Sequence, residues 1–204
     1  ATMGVVTSQC RPCRPKPKQL VVIFSGKRKS GKDYVTAKLL EELGDTAEIG
    51  RLSAPLKKAY ATEHNLDYKR LLSDGPYKEG FRKDMIVWGE QRRNRDPGFF
   101  ARMVVDGATK PVLIISDARR VTDLQFFQEN TSKYDIITVR VKASNAERSK
   151  RGWVFTKGVD DVESECGLDG REWDFEIQND SEAPKPLAGY LQDLKASIQK
   201  TLEG

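Results

Sequence analysis

The sequence predicts an α/β fold in which a parallel sheet carries helices on both faces. Two observations lead there. Leu20-Val21-Val22-Ile23-Phe24 and Pro111-Val112-Leu113-Ile114-Ile115 are continuous apolar runs, the pattern of strands buried on both faces rather than the alternation of half-exposed ones. Segments with apolar residues at helical spacing alternate with such runs along the chain, as in sheets covered by helices.

Residues 1–18 mix Pro with basic residues and lack periodicity, so they read as an unstructured basic tail or an expression remnant. Structure is expected from Gln19. After the strand at 20–24, residues 24–34 read F-S-G-K-R-K-S-G-K-D-Y, and a helix over 32–43 then places Val35, Leu39, Leu40 and Leu43 on one face before Gly44 stops it. A short strand near 49–52 precedes Ala54-Pro55, where Pro opens a helix toward His64. Residues 77–95 form a longer helix with Phe81, Met85 and Trp88 on one stripe and Arg82, Ile86, Gly89 and Arg93 on the next. The second apolar run ends on Ser116-Asp117. A strand over 134–141, a short polar helix over 143–151, a last strand at 175–177 and a helix around 187–202 complete the pattern. The stretch between Arg151 and Trp173 is rich in Gly and Asp without periodicity, and reads equally as a mobile lid or a plain surface loop. The expected layout is a tail over 1–18 and one domain over 19–204, with a lid at about 151–172.

A chain of 204 residues, 38% hydrophobic and 32% charged, is long enough to bury one sizeable core. The formal net charge of +5 points toward nucleic acid, but Arg11, Arg14, Lys16 and Lys18 sit in the tail. Setting those four aside leaves 31 of the 35 basic residues against 30 acidic ones, so any basic patch in the body is local and built where a polyanion binds. Three cysteines, Cys10, Cys13 and Cys166, suit a reducing compartment; the C-x-x-C pair has no second pair, and His64 is the only histidine, so a zinc site lacks ligands. With no run of eighteen apolar residues and no signal-like start, a cytoplasmic protein without a membrane partner is expected.

The glycine loop carries the chemistry. Gly26, Gly31 and Lys32 satisfy G-x-x-x-x-G-K between a buried strand and an amphipathic helix, the context in which backbone N–H groups and a helix dipole hold a polyphosphate. Where the pattern asks for Ser or Thr, this chain has Asp33. A carboxylate there serves either as a hard-oxygen Mg²⁺ ligand or as an acid favoured at a helix start. Asp117, at the end of an apolar strand, matches the acid that helps hold Mg²⁺ in phosphate-loop enzymes, the plainer reading being a turn cap. Arg119 and Arg120 follow it and suit bidentate phosphate recognition. Lys78, Arg82, Arg92, Arg93 and Arg95 add a second cationic field, in which Arg82 and Arg93 share a helical phase. His64 reads as structural or exposed. Many arginines without a candidate base fit transfer to an acceptor that already bears a phosphate, whose anionic oxygen is the nucleophile.

Longer segments carry a family resemblance: F-S-G-K-R-K-S-G-K-D at 24–33, R-L-S-A-P-L-K at 51–57, Y-K-E-G-F-R-K-D-M-I at 77–86, D-P-G-F-F at 96–100, S-D-A-R-R-V at 116–121 and R-G-W-V-F-T-K-G-V-D-D-V-E-S-E-C-G-L-D at 151–169. On these the chain resembles animal-type phosphomevalonate kinases, a nucleoside-monophosphate-kinase-like P-loop group, over about residues 20–204. The resemblance implies a P-loop kinase fold, use of ATP with Mg²⁺, and transfer of the γ-phosphate to (R)-5-phosphomevalonate to give 5-diphosphomevalonate and ADP. It makes Asp33 ordinary, since the family carries G-K-D there. It implies an ATP cradle of Gly26, Lys27, Arg28, Lys29, Ser30, Gly31, Lys32 and Asp33, with Arg151 from the lid, Asp180 at a nucleotide contact and Lys185 beside it. Catalytic roles fall on Lys32, Asp33, Arg119 and Arg120. Phosphomevalonate contacts fall on Arg93, Arg119, Arg120 and Asn179, with Lys78 and Arg82 as companions, and a monomer is expected. Some relatives end in a peroxisomal tripeptide, whereas this sequence ends Leu202-Glu203-Gly204. A nucleoside monophosphate kinase is the alternative enzyme, and a nucleotide-dependent binding module using the basic tail is the alternative outside enzymes.

Overall fold

The computed structural model describes residues 18–73 and 75–203, without the side chain of Ser164. Five strands form its sheet: β1 (Gln19–Ser25), β2 (Ala47–Gly50), β3 (Val112–Ala118), β4 (Tyr134–Lys142) and β5 (Phe175–Gln178). The order is β2-β3-β1-β4-β5 and every pair is parallel. Val21 lies opposite Leu113 on one side and Ile136 on the other, so β1 is fully flanked. That central position explains its apolar run. β1 is also where the winding direction reverses, so the loop that follows it opens into the crevice at the carboxyl ends of the strands.

Helix α1 (Lys32–Leu43) and the C-terminal helix α9 (Leu187–Glu203) cover one face, where Val35, Leu39, Leu191, Leu194 and Ile198 pack on Leu20, Val22 and Phe24. On the other face α5 (Phe99–Val105) and α6 (Val121–Gln128) bury Ala101, Leu124 and Phe127 against Val21, Ile23 and Leu113. Each fully buried Leu, Ile or Phe contributes about 1.5–3 kcal/mol of transfer free energy. A third cluster joins α2 (Ser53–Glu63), α3 (Tyr68–Leu72), α4 (Pro76–Arg95) and the start of α5 through Tyr60, Leu71, Met85, Trp88 and Phe100.

Each expected element within the described residues is present, with β2 starting two residues earlier than the sequence suggests. The helices that periodicity does not predict are α3, α5, α6 and, within the Gly- and Asp-rich stretch, α8 (Glu163–Cys166). All are eight residues or fewer, too short for an apolar stripe to repeat. The helix expected over 143–151 is α7 (Asn145–Lys150), capped by Ser144, which accepts from the Glu147 N–H at 3.2 Å. The Cys10 and Cys13 pair and the tail lie outside the described residues except for Lys18, whose ammonium meets Asp135 at 3.2 Å. Among the described residues no helix is long and apolar enough to cross a membrane.

Candidate active site

The loop between β1 and α1 turns on two left-handed residues, Lys29 (φ 61°) and Gly31 (φ 86°). A Cβ at Gly31 would also lie 2.1 Å from Asn179 Nδ2, and one at Gly26 would lie 2.7 Å from Ser30 Oγ and 2.8 Å from the Val141 carbonyl, so both glycines are required by contact. Outward-facing carbonyls are taken up: Arg151 Nη1 donates to Ser30 O at 2.9 Å, Asn179 Nδ2 to the same oxygen at 2.8 Å, and Arg148 Nε to Arg28 O at 2.8 Å. No side chain caps the first turn of α1. Its N–H groups and the positive end of its dipole are the chemistry an oxyanion wants.

Lys32 is buried and donates to the Ser116 carbonyl at the end of β3 and, at 2.6 Å, to Asp33. The Asp33 side chain is 73% exposed. Partial burial works to raise its pKa, but Lys32 first, then Arg51 and Arg119, hold the carboxyl below the usual Asp range. An ionised, exposed oxygen donor of this kind fits a hard cation, although among the described residues no three His, Cys, Asp or Glu side chains cluster to hold a metal by themselves. Asp117 is engaged differently: its Oδ1 accepts from the Leu52 N–H at 2.7 Å and its Oδ2 from the Ser53 N–H at 3.0 Å, which caps α2. Its carboxylate thus has a structural use that competes with the metal role read from the motif.

Across the crevice, α4 and the start of α6 bring Arg93 and Arg120 together. Arg93 is 6% exposed, its Nε faces Asp123 and its Nη1 faces Glu90, each at 3.9 Å, and Nη1 has no hydrogen-bond partner; Nε of Arg120 is likewise buried without a hydrogen bond. Burial and then the neighbouring Arg120 push Arg93 below the ordinary guanidinium value, against the pull of Asp123, Glu90 and Asp117. Glu90 pairs with Arg120, and Asp123 accepts from the backbone N–H groups of Arg119 (2.9 Å) and Arg120 (3.0 Å), which fixes both at the start of α6. Buried guanidinium nitrogens without partners are donors for a tetrahedral anion.

Other expected site residues fall elsewhere. Asn179 and Arg151 join the loop itself, and Arg151 also donates to the Asn179 carbonyl at 2.6 Å. Asp180 accepts from the Ser144 N–H at 2.8 Å and Lys185 pairs with Asp193, its ammonium 4.4 Å from the centre of the Tyr190 ring. Arg82 is bound to Glu79, one face of α4 and three turns from Arg93, and Ile86 between them is exposed. Lys78 lies in the first turn of the same helix.

Residues the sequence reasoning passed over are the acids around the loop. Asp169 meets Lys27 and Arg140, each at 2.6 Å, Asp160 lies 3.4 Å from Arg28, and Glu165 accepts from the Arg28 N–H and from Arg119. A cavity of about 500 Å³ beside the loop is lined by Lys27, Ser30, Arg140, Ser144, Asp169 and Trp173. Their only sequence signal is the acidic run within 159–169, which no spacing rule distinguishes from a solvated loop.

Comparison with known proteins identifies the family and the fold. The profile of the phosphomevalonate kinase family matches residues 24–133. A curated phosphomevalonate kinase from Drosophila melanogaster is 41% identical over 179 residues, covering 85% of this chain and 95% of that one. Among solved structures, an APS kinase from Mycobacterium tuberculosis in complex with AMPPNP and APS superposes with a TM-score of 0.50 at 13% identity, over 92% of this chain and 99% of that one. A gluconokinase from Sinorhizobium meliloti gives 0.48 at 16% identity, over 93% and 96%. At such identities the first of these speaks to the P-loop kinase fold alone. The parallel sheet with the glycine loop at its switch point fits that assignment, and a family match over more than half its length together with a relative 41% identical place this chain in the phosphomevalonate kinase family.

Proposed function

We propose that the chain transfers the γ-phosphate of ATP to the phosphate of (R)-5-phosphomevalonate, giving 5-diphosphomevalonate and ADP. The observation that carries the geometry is the pairing of an uncapped α1 N-terminus and Lys32 with the buried nitrogens of Arg93 and Arg120 that lack a hydrogen bond, across the crevice. ATP phosphates lie on the first site and the acceptor phosphate on the second. An acceptor phosphate oxygen attacks the γ-phosphorus, the bond to the β–γ bridging oxygen breaks, and ADP leaves with that oxygen's charge. The nucleophile is already anionic, so no proton needs a base. Lys32, Arg119 and Arg120 stabilise the charge spread over the transferring group, and to do so Lys32 exchanges Ser116 and Asp33 for phosphate oxygens. Asp33 is the loop residue that would hold a Mg²⁺ bound with ATP, which would neutralise phosphate charge there.

Arg28, Lys27, Lys29 and Arg151 complete the nucleotide side, with Asn179 and Asp180 fastening the strand-end loops around it. Along α4, eleven residues separate Arg82 from Arg93, about 16 Å of helix rise. Arg82 therefore serves the carboxylate end of the substrate only by leaning inward and leaving Glu79, with Lys78 beside it.

The test is a coupled ADP-release assay with phosphomevalonate, AMP, CMP and UMP as competing acceptors. Turnover of phosphomevalonate alone is expected, with Lys32→Met lowering kcat by about 10²-fold or more at unchanged fold. Turnover of a nucleotide only, or a near-normal Lys32→Met enzyme, overturns the reading.

A further inference from the structure

Glu165 sits in α8, inside the stretch that the sequence leaves as lid or loop, and its side chain is only 2% exposed. Its two carboxylate oxygens divide between two parts of the site. Oε1 accepts from the backbone N–H of Arg28 in the phosphate loop, and Oε2 accepts from Nη1 of Arg119 at the end of β3. A carboxylate this deeply buried is strongly unfavourable unless both oxygens are paired, and here both are, to groups from the two halves of the reaction.

The fold decides which of these partners positions the other. Leu168, three residues on, is 1% exposed and packs with Leu124 and Phe127 in the core under the sheet, so α8 is pinned by apolar burial. Cys166 Sγ lies 3.2 Å from the Asp160 carbonyl, and Asp160 in turn accepts from Trp153 Nε1 at 3.0 Å and from the Thr156 N–H at 2.8 Å. Glu165 is therefore held from two sides. Arg119 has its backbone fixed by Asp123, yet its side chain is 36% exposed and long, with many rotamers to lose. A fixed acid restrains the mobile arginine, not the reverse.

We propose that Glu165 is a positioning residue for phosphoryl transfer. Its charge holds the Arg119 guanidinium against the phosphate loop, so the cation is already in place when charge spreads over the transferring group. The proposal rests on the reading of Arg119 as a transfer arginine. The same contact has an opposite consequence if Glu165 instead fills a phosphate's place and must be expelled by ATP. Two observations favour positioning: the acid is anchored in the core, and Lys32 is not its partner but is bound to Ser116 and Asp33.

Glu165→Gln keeps the shape and an acceptor for the Arg28 N–H while removing the charge that holds Arg119. The expected result is a fall in kcat of roughly 10–100-fold with KM for ATP changed less than about threefold. In an Arg119→Ala enzyme, itself impaired, the same substitution is expected to change kcat by less than about threefold, because nothing remains to be positioned. Glu165→Asp, which keeps the charge on a shorter arm, should fall between wild type and Gln; it carries the test if Gln fails to fold. A lower KM for ATP with kcat unchanged or raised overturns the proposal in favour of an anionic placeholder, and full additivity with Arg119→Ala also overturns it. Near-normal turnover by Arg119→Ala overturns the arginine reading and this proposal together, whereas an impaired Arg119→Ala beside a normal Glu165→Gln overturns only the positioning.

Discussion

Asp33 stands where a phosphate loop ordinarily places a hydroxyl, and its surroundings define two separable jobs. Its carboxylate receives the Lys32 ammonium at 2.6 Å while most of its surface stays open to solvent, so it balances the loop's cations and remains accessible to a metal. The depressed pKa has a definite sign. An acid whose folded-state pKa lies below its unfolded value keeps its full contribution above the ordinary Asp range and loses it as the pH falls through the lower value, so Asp33 is ionised throughout the neutral range. Asp33→Ala is expected to raise the Mg²⁺ concentration for half-maximal rate about tenfold, read from Mg²⁺ titrations at saturating ATP. An unchanged Mg²⁺ requirement with a lower melting temperature would assign the side chain to the helix start instead. The sequence made both jobs legible because they follow from residue type and position. It left the choice open because the partner, Lys32, also has the Ser116 carbonyl as acceptor, which only folding supplies.

At the level of elements, the stretch after α7 behaves as a strap that turns two acids, Asp160 and Glu165, inward. Asp160 is 8% exposed and accepts from Trp153 and Thr156 while facing Arg28 and Arg148. Burial pulls its pKa upward, but those two hydrogen bonds and the two arginines hold it below the ordinary value. Its stabilisation is therefore complete above the ordinary Asp pKa and disappears as the pH falls through the depressed one. Asp160→Ala should cost about 1–3 kcal/mol at pH 7, and the difference from wild type should shrink in melts carried below pH 4; a penalty constant with pH would count against the charge. None of this was legible from the stretch itself. Trp153, Asp160, Glu165 and Leu168 have no shared period, because each turns inward to a different neighbour, whereas α1 and α9 repeat one face against one sheet and so wrote that face into the sequence.

For the molecule as a whole, every candidate site residue lies between Gly26 and Lys185, and β1 begins at Gln19 with its N–H bonded to the Lys133 carbonyl at 3.1 Å. Removing residues 1–17 should leave kcat and both KM values within about twofold, since no phosphate-binding group is lost. A loss of turnover beyond tenfold would move the function toward the basic tail and the binding-module alternative. The sequence by itself determined the strands, the long helices, the glycine loop and its lysine, because apolar runs and glycine spacing are local and each has one physical cause. It also carried the family, through segments too long to recur by chance. Only the tertiary structure decided the strand order, which sets the loop beside β3, and the pairing of charges, which joins Arg28 to Glu165 across 137 positions and turns Asp117 toward α2. Charges at that separation meet because the sheet and its apolar faces bring them together, and a charge carries no period that would announce its partner.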